Sequence, residues 1–390
     1  MYQLIKLAFA LPFVVVDYYL LRKLTARQSL RALLAGFLTL AVIGYPIAEA
    51  LSHRSVSGWA KPLITLGLYC LPFVLYLAPL VIIVELIVTL LRRSKLVSAD
   101  TLNHWGWRVA RICCVMILPA IIVCIGAVNN TRLVVRGFSV EIPRRSSILR
   151  QLRIAFASDF HLGQFTADDL VKRFADKVNA QNPDIVMIGG DVQDSVERAA
   201  NLDRFCTQFR SLRSKYGVYA VTGNHDIRAG INAGFFERSG IKLLRDSVER
   251  IDDAFYLVGR DDQLSGTRKP LTELLRNIPD DLPVLILDHN PAGLERTSRF
   301  HVDLQLSGHT HDYQFFPLNL IPSGEFELSW GYLKKRQTHF LVSSGVELTR
   351  PPVRTAGLSE VLVVDVLFRP RPEEVPGLPS SVFQPAVPVH

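Results

Sequence analysis

Cysteine is scarce in this sequence, and its placement excludes a framework of disulfide bonds. The 390 residues include five cysteines and no CxxC pair. Four of the five lie in strongly apolar runs, namely Cys70, Cys113, Cys114 and Cys124. Cysteines in such surroundings usually act as small buried hydrophobic side chains, so no disulfide scaffold is predicted.

The sequence also lacks the patterns of nucleic-acid recognition. Its formal net charge is +8 and its pI is about 9.3, a balance that often accompanies nucleic-acid binding. However, it contains no RNA- or DNA-binding signature and no basic stripe interleaved with aromatic residues. Much of the basic excess flanks apolar runs, where membrane topology explains it, so no nucleic-acid partner is expected.

A single cleaved signal peptide does not describe the N-terminal third, because that third has several long apolar runs rather than one short one. The runs cover residues 4–21, 32–51, 63–91 and 109–128. Each reaches the roughly 20 residues that cross the apolar core of a bilayer. Residues 1–130 are therefore predicted to form an all-α transmembrane bundle of about four spans, in contact with membrane lipids.

The basic residues around these runs favour one orientation in the membrane. Lys and Arg concentrate in the first and third connections, at Arg22, Lys23, Arg27, Arg31, Arg92, Arg93, Lys95 and Arg108. Because basic loops tend to stay in the cytoplasm, both ends of a four-span bundle would lie outside it. The opposite orientation is favoured by Arg132, Arg136, Arg144 and Arg145, after the last run. The first pattern is the stronger, so we expect a multi-pass protein of the cell membrane with an extracytoplasmic C-terminal domain.

Three carboxylates interrupt the apolar runs. Asp17 and Glu49 lie near predicted span ends, and Glu85 lies deeper. A carboxylate inside a span is a candidate functional group, so a transporter is one alternative function. The runs show no paired broken-helix repeats of the kind that transporters use, which weakens that alternative.

From about residue 150 the pattern changes to that of an α/β domain. Strands are predicted at 153–158, 185–188 and 218–221, with helices between them, and then at 255–258, 284–287, 303–306, 340–342 and 361–364. The first of these helices is expected to open at a capping box that starts with Thr166 and to run to about Ala180. Strands that first alternate with helices and then dominate indicate a layered α/β sandwich. We expect a linker over residues 131–150, this domain over residues 151–368 and a disordered Pro-rich tail over residues 369–390.

Polar side chains follow five of the predicted strands. They are Asp159 with His161, Asp191 with Asp194, Asn224 with His225 and Asp226, His289 alone, and His309 with His311. In DFH and HTH the two ligands are two residues apart, which puts both on one face of an extended segment. Ligands of open α/β sheets bind beyond the carboxyl ends of strands. Carboxylate, imidazole and amide groups suit Mn, Zn or Fe, so the sequence predicts a shared site for two metal ions that could hold a phosphate.

No single cluster carries this prediction. A lone DxH or GNHD occurs by chance, GHTH is more specific, and the weight comes from all five clusters in this order. His289 by itself could equally be a buried core histidine. His301 and His339 have no matching context, so ordinary packing or surface roles are expected for them.

Together the motifs resemble those of the calcineurin-like metallophosphoesterases. The matching segments are SDFHLG at 158–163, GGDVQD at 189–194, GNHD at 223–226, LDHNP at 287–291 and GHTHDYQ at 308–314. The resemblance covers about residues 152–365. The apolar N-terminus and the segment VSSGVELTRPPVR resemble the subgroup of transmembrane proteins with a metallophosphoesterase domain, which is similar to the bacterial YkuE type.

This resemblance implies a four-layer α/β/β/α sandwich, a pair of metal ions and a role for each motif residue. Asp159, His161, Asp191 and His311 would hold one divalent ion. Asp191 would bridge to a second ion, held also by Asn224, His289 and His309. Manganese is expected first, with Zn, Fe or Mg as alternatives. His225 would donate a proton or stabilise transition-state charge, Asp194 would orient His225, and Asp226 would support the turn.

The function implied is hydrolysis of phosphate esters or diphosphates by metal-activated water in a membrane-anchored enzyme. Some relatives hydrolyse UDP-diacylglucosamine, so a phospholipid or lipid-linked diphosphate could be the substrate. The alternative is a non-catalytic membrane module that holds metal and binds a lipid or protein partner, and the intact ligand set argues against it. After GHTH, Asp312 and Tyr313 replace small residues of many relatives. Tyr313 could narrow the pocket, stack on a substrate ring or simply pack.

Overall fold

The computed structural model describes residues 28–52, 54, 56, 58–194, 199–231, 233–321, 324–348 and 350–370. The first apolar run with Asp17, and the tail from residue 371, lie outside the described residues. The chain divides into two compact units. The helical unit is Met1–Asn129 with Arg350–Thr355, and the α/β unit is Asn130–Thr349 with Ala356–His390.

The described part of the helical unit contains three long apolar α-helices and one short α-helix. They are α1 (Gln28–Ser52), α2 (Lys61–Arg93), the short α3 (Ala99–Asn103) and α4 (Trp105–Thr131). Three segments are long and apolar enough to cross a membrane, namely Arg31–Ser52, Gly58–Arg93 and Trp105–Thr131. They coincide with the second, third and fourth predicted runs, whereas the total of four spans stays a prediction. Leu40, Leu66 and Ile125 are among their many exposed apolar side chains, and helices that are apolar on all sides are typical of membrane spans.

Polar contacts inside the helical unit involve the segment Arg350–Thr355. The Arg350 guanidinium donates to Ser52 Oγ over 2.7 Å, and the backbone N–H of Arg354 donates to Gly126 O over 2.9 Å. Glu49, expected near a span end, is buried at 7% exposure. Glu85 is half-buried, so neither carboxylate is fully exposed.

Two six-stranded mixed sheets form the α/β unit. The first contains β1 (Leu133–Pro143), β2 (Gln151–Ala157), β3 (Ile185–Ile188), β4 (Val218–Ala220), β5 (Lys242–Leu243) and β12 (Ser359–Arg369). The second contains β6 (Ser247–Ile251), β7 (Phe255–Gly259), β8 (Val284–Leu287), β9 (Leu304–Ser307), β10 (Gly331–Lys335) and β11 (Thr338–Val342). Their orders are β1-β12-β2-β3-β4-β5 and β10-β11-β9-β8-β7-β6. All eight predicted strands are present, and β2 to β4 and β8 to β9 run parallel.

Helices and sheets of this unit share three hydrophobic cores. The described helices are α5 (Leu170–Asn179), α6 (Ala199–Phe209), α7 (Asn224–Ala229), α8 (Ala233–Arg238), α9 (Leu271–Leu275) and α10 (Leu294–Thr297). One core joins the first sheet to α5, α6 and α8, a second contains residues of both sheets, and a third joins the second sheet to α9. Strands β3 and β8 contribute to cores on both faces, which explains their continuous apolar sequences.

The expected linker over residues 131–150 is wrong in part, because it contains β1. This strand pairs in parallel with the whole of β12. Val140 and Ile142 are buried on either side of Glu141, which is the alternation of a half-buried strand. The arginines of this segment interrupt the alternation of apolar and polar residues, and they also fit the pattern of membrane topology. Arg136 instead forms an ion pair of 2.9 Å with the buried Glu360 of β12.

His339 provides a pH-dependent contribution to stability. It is 3% exposed and its Nδ1 lies 2.9 Å from the Tyr332 hydroxyl. Burial, and then the charge of Lys334, lower its pKa from 6.5 to about 4. The unfolded chain therefore binds a proton more readily than the folded one, so this stability is present above pH 6.5 and is lost as the pH falls towards 4. The full loss is about 3 kcal/mol, at 1.36 kcal/mol per pKa unit.

We therefore expect the unfolding temperature of His339→Gln to fall less between pH 7 and pH 4 than that of the unmodified protein. Thermal unfolding followed by circular dichroism at several pH values measures this difference. His301→Gln is the matched control because His301 is exposed, and its profile should parallel the unmodified one. Equal slopes for His339→Gln and the unmodified protein would contradict the assignment.

Candidate metal centre

The carboxyl ends of β2, β3, β4, β8 and β9 bring their polar side chains into one cluster. Three sets of side chains have ligand atoms that all lie within 4.8 Å of one another: Asp159, His161 and His311; His161, Asp191 and His225; and Asp191, His289 and His309. His161 and Asp191 each belong to two sets, so the three sets are continuous. Residues predicted separately from five strand ends thus share one site.

The first half of the cluster surrounds Asp159. Nε2 of His161 and Nε2 of His311 lie 3.3 Å apart. Asp159 Oδ1 lies 3.7 Å from Nε2 of His311 and 3.9 Å from Nε2 of His161. The side chains of Asp159 and His161 are 0% and 1% exposed. Two imidazoles and a carboxylate that converge in a dry site form a donor set for a divalent ion such as Mn, Zn or Fe.

The second half surrounds Asp191. Asp191 Oδ2 lies 3.3 Å from Nε2 of His289, and that nitrogen lies 3.2 Å from Nδ1 of His309. His289 Nδ1 donates to Gly189 O over 2.7 Å, which orients Nε2 towards the centre. The same Asp191 oxygen lies 3.9 Å from Nε2 of His161 in the first half. This carboxylate therefore occupies the position of a ligand that two ions share.

Asn224, the first residue of α7, tests whether a metal ion fits. The residue is 8% exposed, and its Oδ1 is buried with no hydrogen-bond partner among the residues that the structure describes. A buried amide oxygen without a donor is costly, and a cation would satisfy it. The donors of the cluster are carboxylate, imidazole and amide groups without thiolate, which fits the divalent ions predicted from the sequence.

The backbone at the candidate ligands is strained rather than extended, which corrects the expectation for DFH and HTH. Positive φ values occur at Asp159 (59°), His161 (44°), Asp191 (51°), His309 (74°) and His311 (52°). Residues other than glycine rarely adopt positive φ values, and such backbone strain concentrates at functional sites. The chain therefore aims these side chains by sharp turns after each strand, instead of by the alternation of a strand.

Two glycines allow the backbone to approach the cluster closely. A Cβ atom on Gly308 would overlap the side chains of Ser158 and Asp159, and one on Gly223 would overlap the carboxylate and backbone N of Asp191. Both glycines directly precede a predicted ligand. Any side chain at either position would therefore displace the ligands from their positions.

His225 and Asp194 form a pair at the edge of the cluster. His225 Nδ1 lies 2.8 Å from Asp194 Oδ1, and the His225 side chain is 25% exposed whereas that of Asp194 is 5% exposed. The backbone N–H of His225 donates to Asp191 Oδ1 over 2.7 Å. Burial lowers the pKa of His225. A carboxylate at this distance selects the tautomer with the proton on Nδ1 when the ring is neutral.

Asp226 fastens the GNHD turn to the neighbouring strand end. Its carboxylate accepts the backbone N–H groups of Gly223 over 2.9 Å, Gln193 over 2.9 Å and Val192 over 3.3 Å. Burial, and then the charge of Asp191, raise the pKa of Asp226 to about 7. These contacts show the support of the turn that was expected of this residue.

Charges within the cluster are strongly linked. Burial opposes the charge of His289, but the Asp191 carboxylate raises the pKa of His289 to about 10. Burial likewise opposes the charge of Asp191, and His289 nevertheless lowers its pKa. For His161 and His309, burial lowers the pKa. A cation at this position competes with the proton on His289, so metal binding should weaken as the pH falls.

Several residues that position the site were missed from the sequence. Thr166 was predicted to cap a helix, but α5 begins at Leu170. The Thr166 hydroxyl instead accepts from Gly163 N over 2.8 Å and donates to His161 O over 3.2 Å. Phe326 packs edge-on against the His309 ring, with centroids 5.7 Å apart. A lone phenylalanine in a loop carries no local signal of such a contact.

Comparison with known proteins identifies the class. The profile of the family described as calcineurin-like phosphoesterase matches residues 152–313. An uncharacterized metallophosphoesterase of Aquifex aeolicus is 31% identical over 226 residues, which cover 55% of this chain and 85% of that protein. This chain belongs to the calcineurin-like metallophosphoesterase family, whose members use divalent metal ions.

Its relatives include membrane proteins. A protein of Danio rerio described as a transmembrane protein with metallophosphoesterase domain is 30% identical over 266 residues, covering 63% of this chain and 60% of that protein. The uncharacterized metallophosphoesterase YkuE of Bacillus subtilis is 27% identical over 224 residues, covering 54% of this chain and 77% of that protein. The chain thus spans about 60% of the length of the Danio rerio relative. The description of that relative and the three candidate membrane helices among the described residues together indicate a membrane protein.

Proposed function

We propose that this chain is a membrane-anchored phosphoesterase that hydrolyses phosphate esters or diphosphates with two divalent metal ions. The observation that carries the proposal is the position of Asp191, whose Oδ2 lies 3.3 Å from His289 in one half of the cluster and 3.9 Å from His161 in the other. For the α/β unit we propose the four-layer sandwich, which the helix–sheet, sheet–sheet and sheet–helix cores support.

The residues divide into two metal sites. Asp159, His161, Asp191 and His311 would hold one ion, and Asp191, Asn224, His289 and His309 the other. Two divalent ions bound there would supply Lewis acidity and lower the pKa of a water molecule. Manganese is our first choice, and the donor set also admits Zn, Fe or Mg.

His225 supplies the proton chemistry in this proposal. Its Nδ1 faces Asp194 over 2.8 Å, so Nε2 is the atom that exchanges a proton with the leaving group. The Asp194 carboxylate holds the ring in place and stabilises its charged form. The dry surroundings of Asp159, His161 and Asp191 keep solvent from competing for charge that develops on the substrate.

The substrate class we propose is a phospholipid or a lipid-linked diphosphate, such as UDP-diacylglucosamine. The candidate membrane helices support it, because an enzyme anchored by them works where lipid head groups are concentrated. We also propose an extracytoplasmic active site, on the strength of the basic first and third connections. An active site on that side argues against a cytoplasmic nucleotide lipid such as UDP-diacylglucosamine and favours the other lipids of this class. A C-terminal alkaline phosphatase fusion should be active, and an inactive fusion beside an active cytoplasmic reporter would place the site in the cytoplasm.

Hydrolysis by the purified full chain in detergent tests the proposed activity. Bis-p-nitrophenyl phosphate and p-nitrophenyl phosphate would be supplied as diester and monoester, with and without added Mn²⁺. We expect turnover that chelation abolishes and that Mn²⁺ restores. A folded, metal-loaded protein without turnover on either ester or on phospholipid would favour the non-catalytic module.

Tyr313 is proposed to contact an aromatic ring of the substrate. It is half-buried, adopts a φ of 53° and follows His311 by two residues. Glycine tolerates this φ, so Tyr313→Gly should remove the ring without straining the backbone. We expect KM for a nucleotide substrate to rise about 3- to 10-fold, the effect of one lost aromatic contact. The KM for simple esters should change little. Equal changes for both substrates would show that Tyr313 only packs.

A further inference from the structure

The loop between β9 and β10 exposes apolar side chains beside the metal centre. Six large hydrophobic side chains are exposed among the described residues of the α/β unit, and four of them belong to this loop. Their exposures are 54% for Phe316, 43% for Leu318, 66% for Leu320 and 59% for Ile321. The other two, Ile148 and Leu264, lie in separate loops. We call residues 315–321 the apolar loop.

The apolar loop is tied to the candidate ligands at both ends. It begins one residue after Gln314, which closes the GHTHDYQ motif and whose carbonyl accepts the Ala356 N–H over 3.0 Å. On the return, Phe326 packs against the His309 ring, and Ser329 O accepts the hydroxyl hydrogen bond of Thr310. The exposed apolar side chains therefore belong to the same connection that presents His309 and His311.

The apolar loop contains a hydrogen-bonded turn and carries no charge. Leu318–Leu320 form a turn of 3₁₀ helix, in which Leu320 N donates to Pro317 O and Ile321 N to Leu318 O, over 3.0 and 3.1 Å. The sequence FFPLNLI contains no ionisable side chain. A folded turn that presents several adjacent large apolar side chains to solvent usually marks an interaction surface, and the absence of charge favours an apolar partner.

We propose that the apolar loop binds the acyl region of a lipid bilayer and thereby presents lipid head groups to the metal centre. The occupant follows from the rest of the chain, because the described residues include three helices long and apolar enough to span a membrane, and such helices would tether the α/β unit to a bilayer. Interfacial helices place Phe and Leu side chains at the boundary of head groups and acyl chains, and the apolar loop exposes the same types of side chain. The lipid contact stands on the loop and on the candidate membrane helices, whereas the presentation of substrate rests on the proposed function.

Photocrosslinking in lipid nanodiscs tests the contact directly. The full chain would carry p-azidophenylalanine in place of Leu320, in nanodiscs that contain an alkyne-tagged phosphatidylcholine. The matched control places the same analogue at Leu264, which is 51% exposed and also lies on a 3₁₀ turn. We expect lipid adducts at position 320 at least about tenfold above those at 264. The proposal would be overturned if position 320 formed adducts only with the same chain or a second copy, or formed no adducts. Equal lipid labelling at both positions would overturn it too.

A kinetic arm separates this proposal from the proposed function. In vesicles of a hydrolysable phospholipid, Leu320→Ser combined with Ile321→Ser should raise the apparent KM by about tenfold, within the range that lost apolar contacts produce. Leu264→Ser should leave it unchanged. If the unmodified protein hydrolyses no lipid, the proposed function fails for lipids while the crosslinking result still decides the contact. If it hydrolyses lipid and the double variant has an unchanged KM, the role of the loop in substrate presentation is wrong.

Discussion

Replacement of Asp191 by alanine should reduce phosphoesterase activity to background and release both metal ions. This carboxylate lies between the two halves of the cluster and accepts the backbone N–H of His225 over 2.7 Å. Its removal leaves His161 and His289 without their shared anionic neighbour, so neither half keeps its charge balance. Metal content by mass spectrometry and turnover of bis-p-nitrophenyl phosphate measure the two effects.

The control for this experiment is Asp203→Ala. Asp203 is a surface carboxylate, 61% exposed, that pairs with Arg238 over 3.2 Å, and exposed ion pairs contribute little to stability. It should keep full metal content and activity. Because loss of a buried charge could unfold the protein, circular dichroism of Asp191→Ala must accompany the assay. A folded Asp191→Ala protein with two bound ions and normal turnover would falsify the shared-ligand role.

Replacement of His225 by alanine should reduce kcat by about 10²- to 10⁴-fold, the usual contribution of a general acid, while metal content is retained. Two histidines lie near Asp194, and the side chain of His225 is 25% exposed whereas that of His161 is 1% exposed. Because His225 is the more accessible of the two, we assign it to proton transfer rather than to metal binding. Asp194→Asn should cause a smaller loss through misorientation of the His225 ring. Loss of metal together with activity would instead make His225 a ligand, and an unchanged rate would remove it from the chemistry.

The pKa of His225 predicts the direction in which the rate changes with pH. Burial lowers the pKa of His225 below its ordinary 6.5, so the ring holds its proton only in more acidic solution. A rate that depends on protonated His225 should therefore decline as the pH rises. His225→Ala should lack this decline, and Asp203→Ala should keep it.

Much of the site was predictable because the relevant information is local. Each cluster directly follows a short apolar segment, and the carboxyl ends of parallel strands meet at one edge of a sheet. The motifs also specify the types of ligand, because their Asp, His and Asn residues supply carboxylate, imidazole and amide groups. Recognition of the family needed no tertiary information, and the match over residues 152–313 confirms it.

What escaped prediction depends on partners far away in the chain. Strand β1 was taken for a linker because its pairing partner, β12, lies more than 200 residues later and no local signal links them. Thr166 was assigned to a helix start, whereas its hydroxyl bonds to the loop that carries His161. The contact of Phe326 with His309 and the exposure of the apolar loop are likewise properties of the folded chain.

The sequence by itself determined the apolar helices, the class of the α/β unit and the chemical nature of its metal ligands, because hydrophobic periodicity and residue type act over a few neighbouring residues. Only the tertiary structure decided the distances from Asp191 to its neighbours in both halves of the cluster, the left-handed backbone at the ligands and the exposure of the apolar side chains that follow the last motif. Those features arise from packing across strands that are distant in sequence. Their energies sum over many contacts, and no short stretch of the chain contains them.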